Sequence, residues 1–192
     1  MRIHGNLQIK RRSEIDQRPY KKYEPELRED FCHRCGYCGK SEAVTKKGFE
    51  IDHFIPQRVA PELKDNYHNL IYSCFTCNRK KGRKWPTEST QQSHNDTEGF
   101  VDPACDEYDL HLERDESGKI ISRTPVGEYM RTKAFKFDKR PTQIIWKAMH
   151  IISLKNELRS KWNQLSDEEK QQYMAIDQEL ESLLTYIFDK KE

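Results

Sequence analysis

Long apolar runs are the first thing this 192-residue chain lacks: its mean hydropathy is −1.04, and no segment approaches the ~20 apolar residues that cross a bilayer. The opening "MRIHGNLQIKRRSEID" has no apolar core of the kind a secretory leader carries. Membrane insertion is therefore not expected, and a cytoplasmic location is. Apolar content is low too, at 34% against 34% charged residues, so two full-sized cores are not expected. Wholesale disorder is argued against by apolar stretches that recur from Phe31 to Phe188. No internal repeat is visible. Cysteines number only six; in a reducing compartment, those spaced as CxxC hold metals rather than disulfides.

The excess of one charge sign is also small overall, a net +2 from 34 basic and 32 acidic side chains, but its distribution is uneven. Residues 31–86 carry 11 basic and 5 acidic side chains, whereas residues 87–192 carry 15 and 21. The basic segment suits a polyanion such as nucleic acid; the plain alternative is a solvated lysine-rich surface.

The pattern of elements is that of an α+β chain in four parts: an arm and short helix over 1–30, a cysteine-rich module over 31–86, a polar linker over 87–98, and a hairpin with helices over 99–192. In the first part, "YEPELREDF" has Pro25 in a first helical turn and Leu27 and Phe31 four apart. In the second, "GFEIDHFIP" alternates Phe49, Ile51 and His53 against Glu50, Asp52 and Phe54, a strand ended by Pro56. "NLIYS" reads as a second strand and "CFTCNRKKGRK" as a helix closed by Gly82. "TESTQQSHNDTE" is low-complexity and read as mobile. Beyond it, "LHLER" and "KIISR" flank "DESG" as a hairpin, residues 142–165 are helical, and "SDEE" is a capping box opening the last helix. Those two helices are expected to pair antiparallel.

Cys35-Gly36-Tyr37-Cys38 and Cys74-Phe75-Thr76-Cys77 supply the four thiolates of a tetrahedral zinc site. Cys32 forms another CxxC with Cys35, which leaves open whether Cys32 replaces Cys38. Gly36 and Gly39 favour Cys35 with Cys38, by giving the knuckle backbone freedom. Four thiolates close the shell, so this zinc is structural and catalysis falls to other residues. Asp52, His53, Asn69 and Asn78 are the candidates, because an Asp-His pair, a strand-opening Asn and a helical Asn are all tied to one staple. Trp85 and Tyr72 read as core, and His111 and His150 as isolated structural histidines.

On "CGYCG", "EIDHFIP", "HNL" and "CFTCNRKKG", residues 35–82, the chain resembles the HNH endonuclease family. The flanking "LREDF", "DP" and "SGKI" are similar to HNH proteins of bacterial anti-phage systems. The resemblance implies a ββα-metal module around one divalent cation, with His53 as general base, Asp52 and Asn78 as cation ligands, and Asn69 bracing the loop. Asparagine at 78 favours Mg²⁺ or Mn²⁺ over a nitrogen-rich site. Asp52 and His53 are neighbours on a strand and point to opposite faces, so a bend near Pro56 or the clasping helix must bring both to one cleft. Arg79, Lys80, Lys81, Arg83 and Lys84 are expected to contact phosphates. The implied activity is hydrolysis of DNA, with RNA as the alternative substrate, in a defence setting with a partner ATPase or sensor subunit. The helical pair is read as a recognition element, a homodimer interface or a docking site. The competing functions are a non-catalytic zinc-stapled nucleic-acid-binding module and an interaction subunit.

Overall fold

Two short strands form where the alternation and the β-branched run predict them. β1 (Phe49–His53) and β2 (Leu70–Cys74) pair antiparallel, with Phe49 opposite Cys74 and His53 opposite Leu70. The computed structural model describes residues 1–189; the last three residues of the 99–192 segment lie outside the described residues. β2 is buried along its whole length, as its unbroken apolar run requires. It leads directly into α2 (Phe75–Lys81), which ends at Gly82, where φ is +53° and the N–H bonds back to the Asn78 carbonyl. Ahead of the sheet, α1 (Glu24–Asp30) has Pro25 in its first turn and buries Leu27, with Phe31 just beyond it.

Gly36 is fixed by packing rather than by dihedral angle. A Cβ there would lie 2.7 Å from the Phe31 ring and 2.9 Å from Ile71. Gly39 has the left-handed φ of +68° that the knuckle needs.

After the module come α3 (Tyr108–His111), the hairpin β3 (Leu112–Arg114) and β4 (Ile120–Ser122), and α4 (Pro125–Glu128). Thr124 caps α4 by accepting the Gly127 N–H, and a π-helical turn, Tyr129–Ala134, continues it. The antiparallel pair follows as α5 (Thr142–Ser160) and α6 (Asp167–Asp189). Its capping box is formed in both directions: Ser166 N–H to Glu169 at 2.8 Å, and Glu169 N–H to the Ser166 hydroxyl at 3.2 Å.

The core does not stop at residue 86. Ile3 and Ile9 of the arm, Phe31, Leu70 and Ile71 of the module, and Phe100, Leu112, Ile120 and Phe135 belong to one buried cluster. The polar stretch 87–98 forms a series of hydrogen-bonded turns whose ends meet, Trp85 stacking on Phe100 at 5.8 Å. A second cluster joins α5 and α6 through Ile145, Met149, Leu180 and Ile187, and reaches the module at Val44. No helix among the described residues is long and apolar enough to cross a membrane.

Candidate active site and metal centre

Four cysteine sulfurs converge where the knuckle meets the start of α2. Cys35, Cys38, Cys74 and Cys77 are all buried, and their sulfur atoms lie within 4.8 Å of one another. A tetrahedron with Zn–S bonds of about 2.3 Å has an edge of about 3.8 Å, and the Cys38 and Cys74 sulfurs are 3.8 Å apart. That spacing is far too long for a disulfide, and it fits zinc. Burial raises the Cys35 and Cys77 thiols above their ordinary pKa, whereas hydrogen bonds from the neighbouring cysteines lower Cys38 and Cys74; four thiolates together in so buried a place would need a cation among them. Arg140 adds positive charge from outside, donating to Cys77 sulfur at 3.2 Å. Cys32 is not part of the cluster; its sulfur faces the Gln8 carbonyl, which settles the choice for Cys38.

The expected catalytic residues do not all meet. α2 lies along β1 so that its i, i+3 pair, Asn78 and Lys81, matches the strand's i, i+2 pair, Glu50 and Asp52. Asn78 Nδ2 donates to Glu50 at 2.6 Å. Lys81, fully buried, places its ammonium 3.0 Å from Asp52 Oδ2, and Tyr37 donates its hydroxyl to the same oxygen at 2.5 Å. Lys81 also donates to the His53 carbonyl at 2.7 Å. The structure therefore sets Asp52 in a buried ion pair, not beside Asn78. An ammonium stands where a dication bound to Asp52 would suffer like-charge repulsion. Lys81 likewise cannot contact phosphate.

Glu50 and Asn78 offer the hard oxygen donors that suit Mg²⁺ or Mn²⁺. Both line an open cleft of about 700 Å³ together with Tyr20, Lys21, Glu24 and Arg79. Glu50 was missed in the sequence, although the alternation that pairs it with Asp52 on one strand face was the available signal.

His53 turns the other way, as strand alternation dictates. Its Nε2 lies 2.9 Å from the Lys64 carbonyl. A carbonyl can only accept, so Nε2 carries the proton and Nδ1 is left as the base. Gln57 Nε2 donates to Nδ1 at 3.2 Å, and the Tyr20 ring packs edge-on at 4.8 Å. Burial, assisted by the Lys81 charge and opposed by Lys64 and Asp52, lowers the His53 pKa below its ordinary 6.5, which keeps the ring neutral at pH 7.

Asn69 ties the start of β2 to the loop between the strands. It accepts the Ile55 N–H at 2.8 Å and donates to the Ile55 and Leu63 carbonyls. Leu63 precedes Lys64, whose carbonyl contacts His53. Of the basic group, Lys80, Arg83 and Lys84 are exposed, and Arg79 is exposed above the Phe75 ring. Tyr72 and Trp85 are core residues.

A family model described as HNH endonuclease matches residues 35–84. Over 50 residues the chain is 40% identical to the Septu protein PtuB of Bacillus thuringiensis, an overlap of 26% of this chain and 20% of that protein. The chain thus spans only a fifth of that relative's length. No solved structure matches the chain. The match over residues 35–84 supports a nuclease-type function and covers the ββα unit with its four clustered cysteines, the part of the chain that is similar to HNH endonuclease domains.

Proposed function

We propose that the protein is a metal-dependent endonuclease that hydrolyses DNA phosphodiester bonds. The observation that carries this reading is the hydrogen-bond polarity of His53. A neutral imidazole, fixed by a carbonyl on Nε2, keeps a lone pair on Nδ1, which is the state a general base needs.

Water displaces the Gln57 amide from Nδ1 and gives up its proton there as its oxygen attacks phosphorus. The P–O3′ bond breaks and the 3′ oxygen takes a proton from solvent water, producing 5′-phosphate and 3′-hydroxyl ends. Glu50 and Asn78 would hold a divalent cation, which would supply Lewis-acid charge; because His53 turns to the other face of β1, the phosphate would have to reach both around the Tyr20 ring, which lines the cleft and packs on His53. Asp52 and Lys81 hold α2 against β1, keeping Asn78 beside Glu50. Arg79, Lys80, Arg83 and Lys84 hold the backbone of the nucleic acid without reading its sequence. A defence setting, and a partner ATPase or sensor subunit, rest on the resemblance to anti-phage HNH proteins and on the similarity to the Septu protein.

The test is nicking of supercoiled plasmid in Mg²⁺ or Mn²⁺ by the wild type and by His53→Ala. Cleavage that disappears in the variant while its zinc content is unchanged supports the reading. The Asp52–Lys81 pair favours a second reading, a non-catalytic nucleic-acid-binding module. That reading prevails if the wild type binds DNA in a salt-sensitive way yet leaves it intact with every metal.

A further inference from the structure

Outside the zinc cluster and the cleft, one group of side chains converges with ligand geometry. His94, from the polar stretch, meets Glu107 and His111 at either end of α3. Glu107 Oε1 is 3.1 Å from His94 Nε2 and 3.3 Å from His111 Nε2, and the three atoms lie within 4.8 Å of one another. A tetrahedral zinc ion with N and O ligands at about 2.0–2.1 Å sets neighbouring donors about 3.4 Å apart. The observed spacings fit that edge.

Proton placement argues that a cation belongs among them. His94 Nδ1 faces the Asn95 carbonyl at 3.1 Å. Because a carbonyl only accepts, Nδ1 carries the proton and the neutral ring has a bare Nε2. That lone pair then points at a carboxylate oxygen, which also only accepts. Either a second proton on His94 or a metal ion resolves the conflict. His111 aims its own Nε2 at the same oxygen, while its Nδ1 is engaged by the Thr124 hydroxyl at 2.6 Å. Both rings thus have an outer hydrogen-bond partner of the kind that orients metal-bound histidines; the Thr124 hydroxyl can donate or accept, so the proton conflict falls on His94, and His111 Nε2 can complete the set as a third ligand.

The backbone holds His94 in place. His94 pairs with Gly99 as an isolated bridge, and a Cβ at Gly99, where φ is +134°, would lie 2.4 Å from His94 Cα. Asn95 Oδ1 accepts the Thr97 and Glu98 N–H groups at 2.8 Å each, tightening the turn. Glu107 is half exposed and His111 mostly covered, which leaves one side of the site open to solvent.

We infer that His94, Glu107 and His111 bind a second divalent transition-metal ion of the zinc class, with a water in the fourth position. The ion fastens the 93–99 turn to α3. It is separate from the thiolate zinc and from the cleft at Glu50 and Asn78.

Zinc per chain, measured by elemental analysis of full-length protein after passage over a chelating resin, is the test. Two equivalents are expected in the wild type, falling to one in His94→Ala and in Glu107→Gln. An organomercurial that titrates the four thiolates should release only one of the two, and the second should stay bound. A wild-type content of one equivalent, all released by the mercurial, overturns the inference and leaves protonated His94 as the partner of Glu107. Equal zinc in the wild type and both variants overturns it as well. Far-ultraviolet circular dichroism of the variants separates ligand loss from unfolding, because His94 and Glu107 are both partly exposed.

Discussion

Two carboxylates two residues apart on β1 have different jobs, and single substitutions separate them. Asp52 is buried against the Lys81 ammonium and the Tyr37 hydroxyl. Asp52→Asn leaves that ammonium unpaired in the core, a change that costs about 3–5 kcal/mol. Glu50 keeps a third of its side chain in solvent, so Glu50→Gln should alter stability by less than about 1 kcal/mol while weakening Mn²⁺ binding. Urea unfolding and Mn²⁺ titration of the two variants measure the difference. An Asp52→Asn protein that unfolds like the wild type yet has lost Mn²⁺ would return the ligand role to Asp52. The sequence held half of this. The alternation of "EIDH" puts Glu50 with Asp52 and turns His53 away, but which carboxylate meets Asn78 depends on where α2 docks along β1, a tertiary fact with no local signal. The buried lysine was hidden for the same reason: in a run of five basic residues nothing marks Lys81 as the one facing inward.

α2 faces three surroundings within about one turn, because Cys77, Asn78 and Lys81 project toward the cysteine cluster, the cleft and the core. Cys77→Ser should release zinc and lower the unfolding midpoint, whereas Asn78→Ala should keep its zinc and lose cleavage, as elemental analysis and plasmid nicking would report. Loss of zinc from Asn78→Ala would tie that side chain to the staple instead. The exposed residues of this element and its extension give a further contrast. Replacing Lys80, Arg83 and Lys84 by alanine should flatten the dependence of log K for duplex DNA on log salt by up to about 2.7, at roughly 0.9 per phosphate contact. An unchanged slope would assign these residues to a solvated face. The cysteine cluster, strands and helix were legible because each signal is local: CxxC spacing, period-two alternation and a closing glycine. The turns of the stretch 87–98 were not legible, since polar composition reports solvent exposure and not the turn hydrogen bonds and Trp85–Phe100 stacking. His94 and His111 stand 17 positions apart in the sequence, so their convergence on Glu107 depends on those turns.

At the scale of the whole molecule, the arm, the zinc knuckle, the hairpin and α5 are joined at one buried guanidinium. Arg114 donates to the Ile3 carbonyl at 2.9 Å, to Gly118 at 2.7 Å and to Cys38 at 2.5 Å, and it lies over the Trp146 ring at 4.2 Å. Burial lowers its pKa to about 10, so it remains charged at neutral pH, and its planar fork reaches three carbonyls that an ammonium cannot serve together. This explains why the segments flanking residues 31–86 share the module's core. Arg114→Met preserves much of the packing volume but strands three buried acceptors, and it should cost about 3–5 kcal/mol. Arg114→Lys should recover less than half of that loss. Because one stranded acceptor is the carbonyl of a zinc ligand, zinc release during urea titration should move to lower denaturant together with the loss of helix. Arg123→Ala removes only an exposed partner of Glu113 and should change stability by no more than about 0.5 kcal/mol. Unfolding of Arg114→Met within about 1 kcal/mol of the wild type, with zinc retained to the same urea concentration, would mean that the four segments are joined by apolar packing alone.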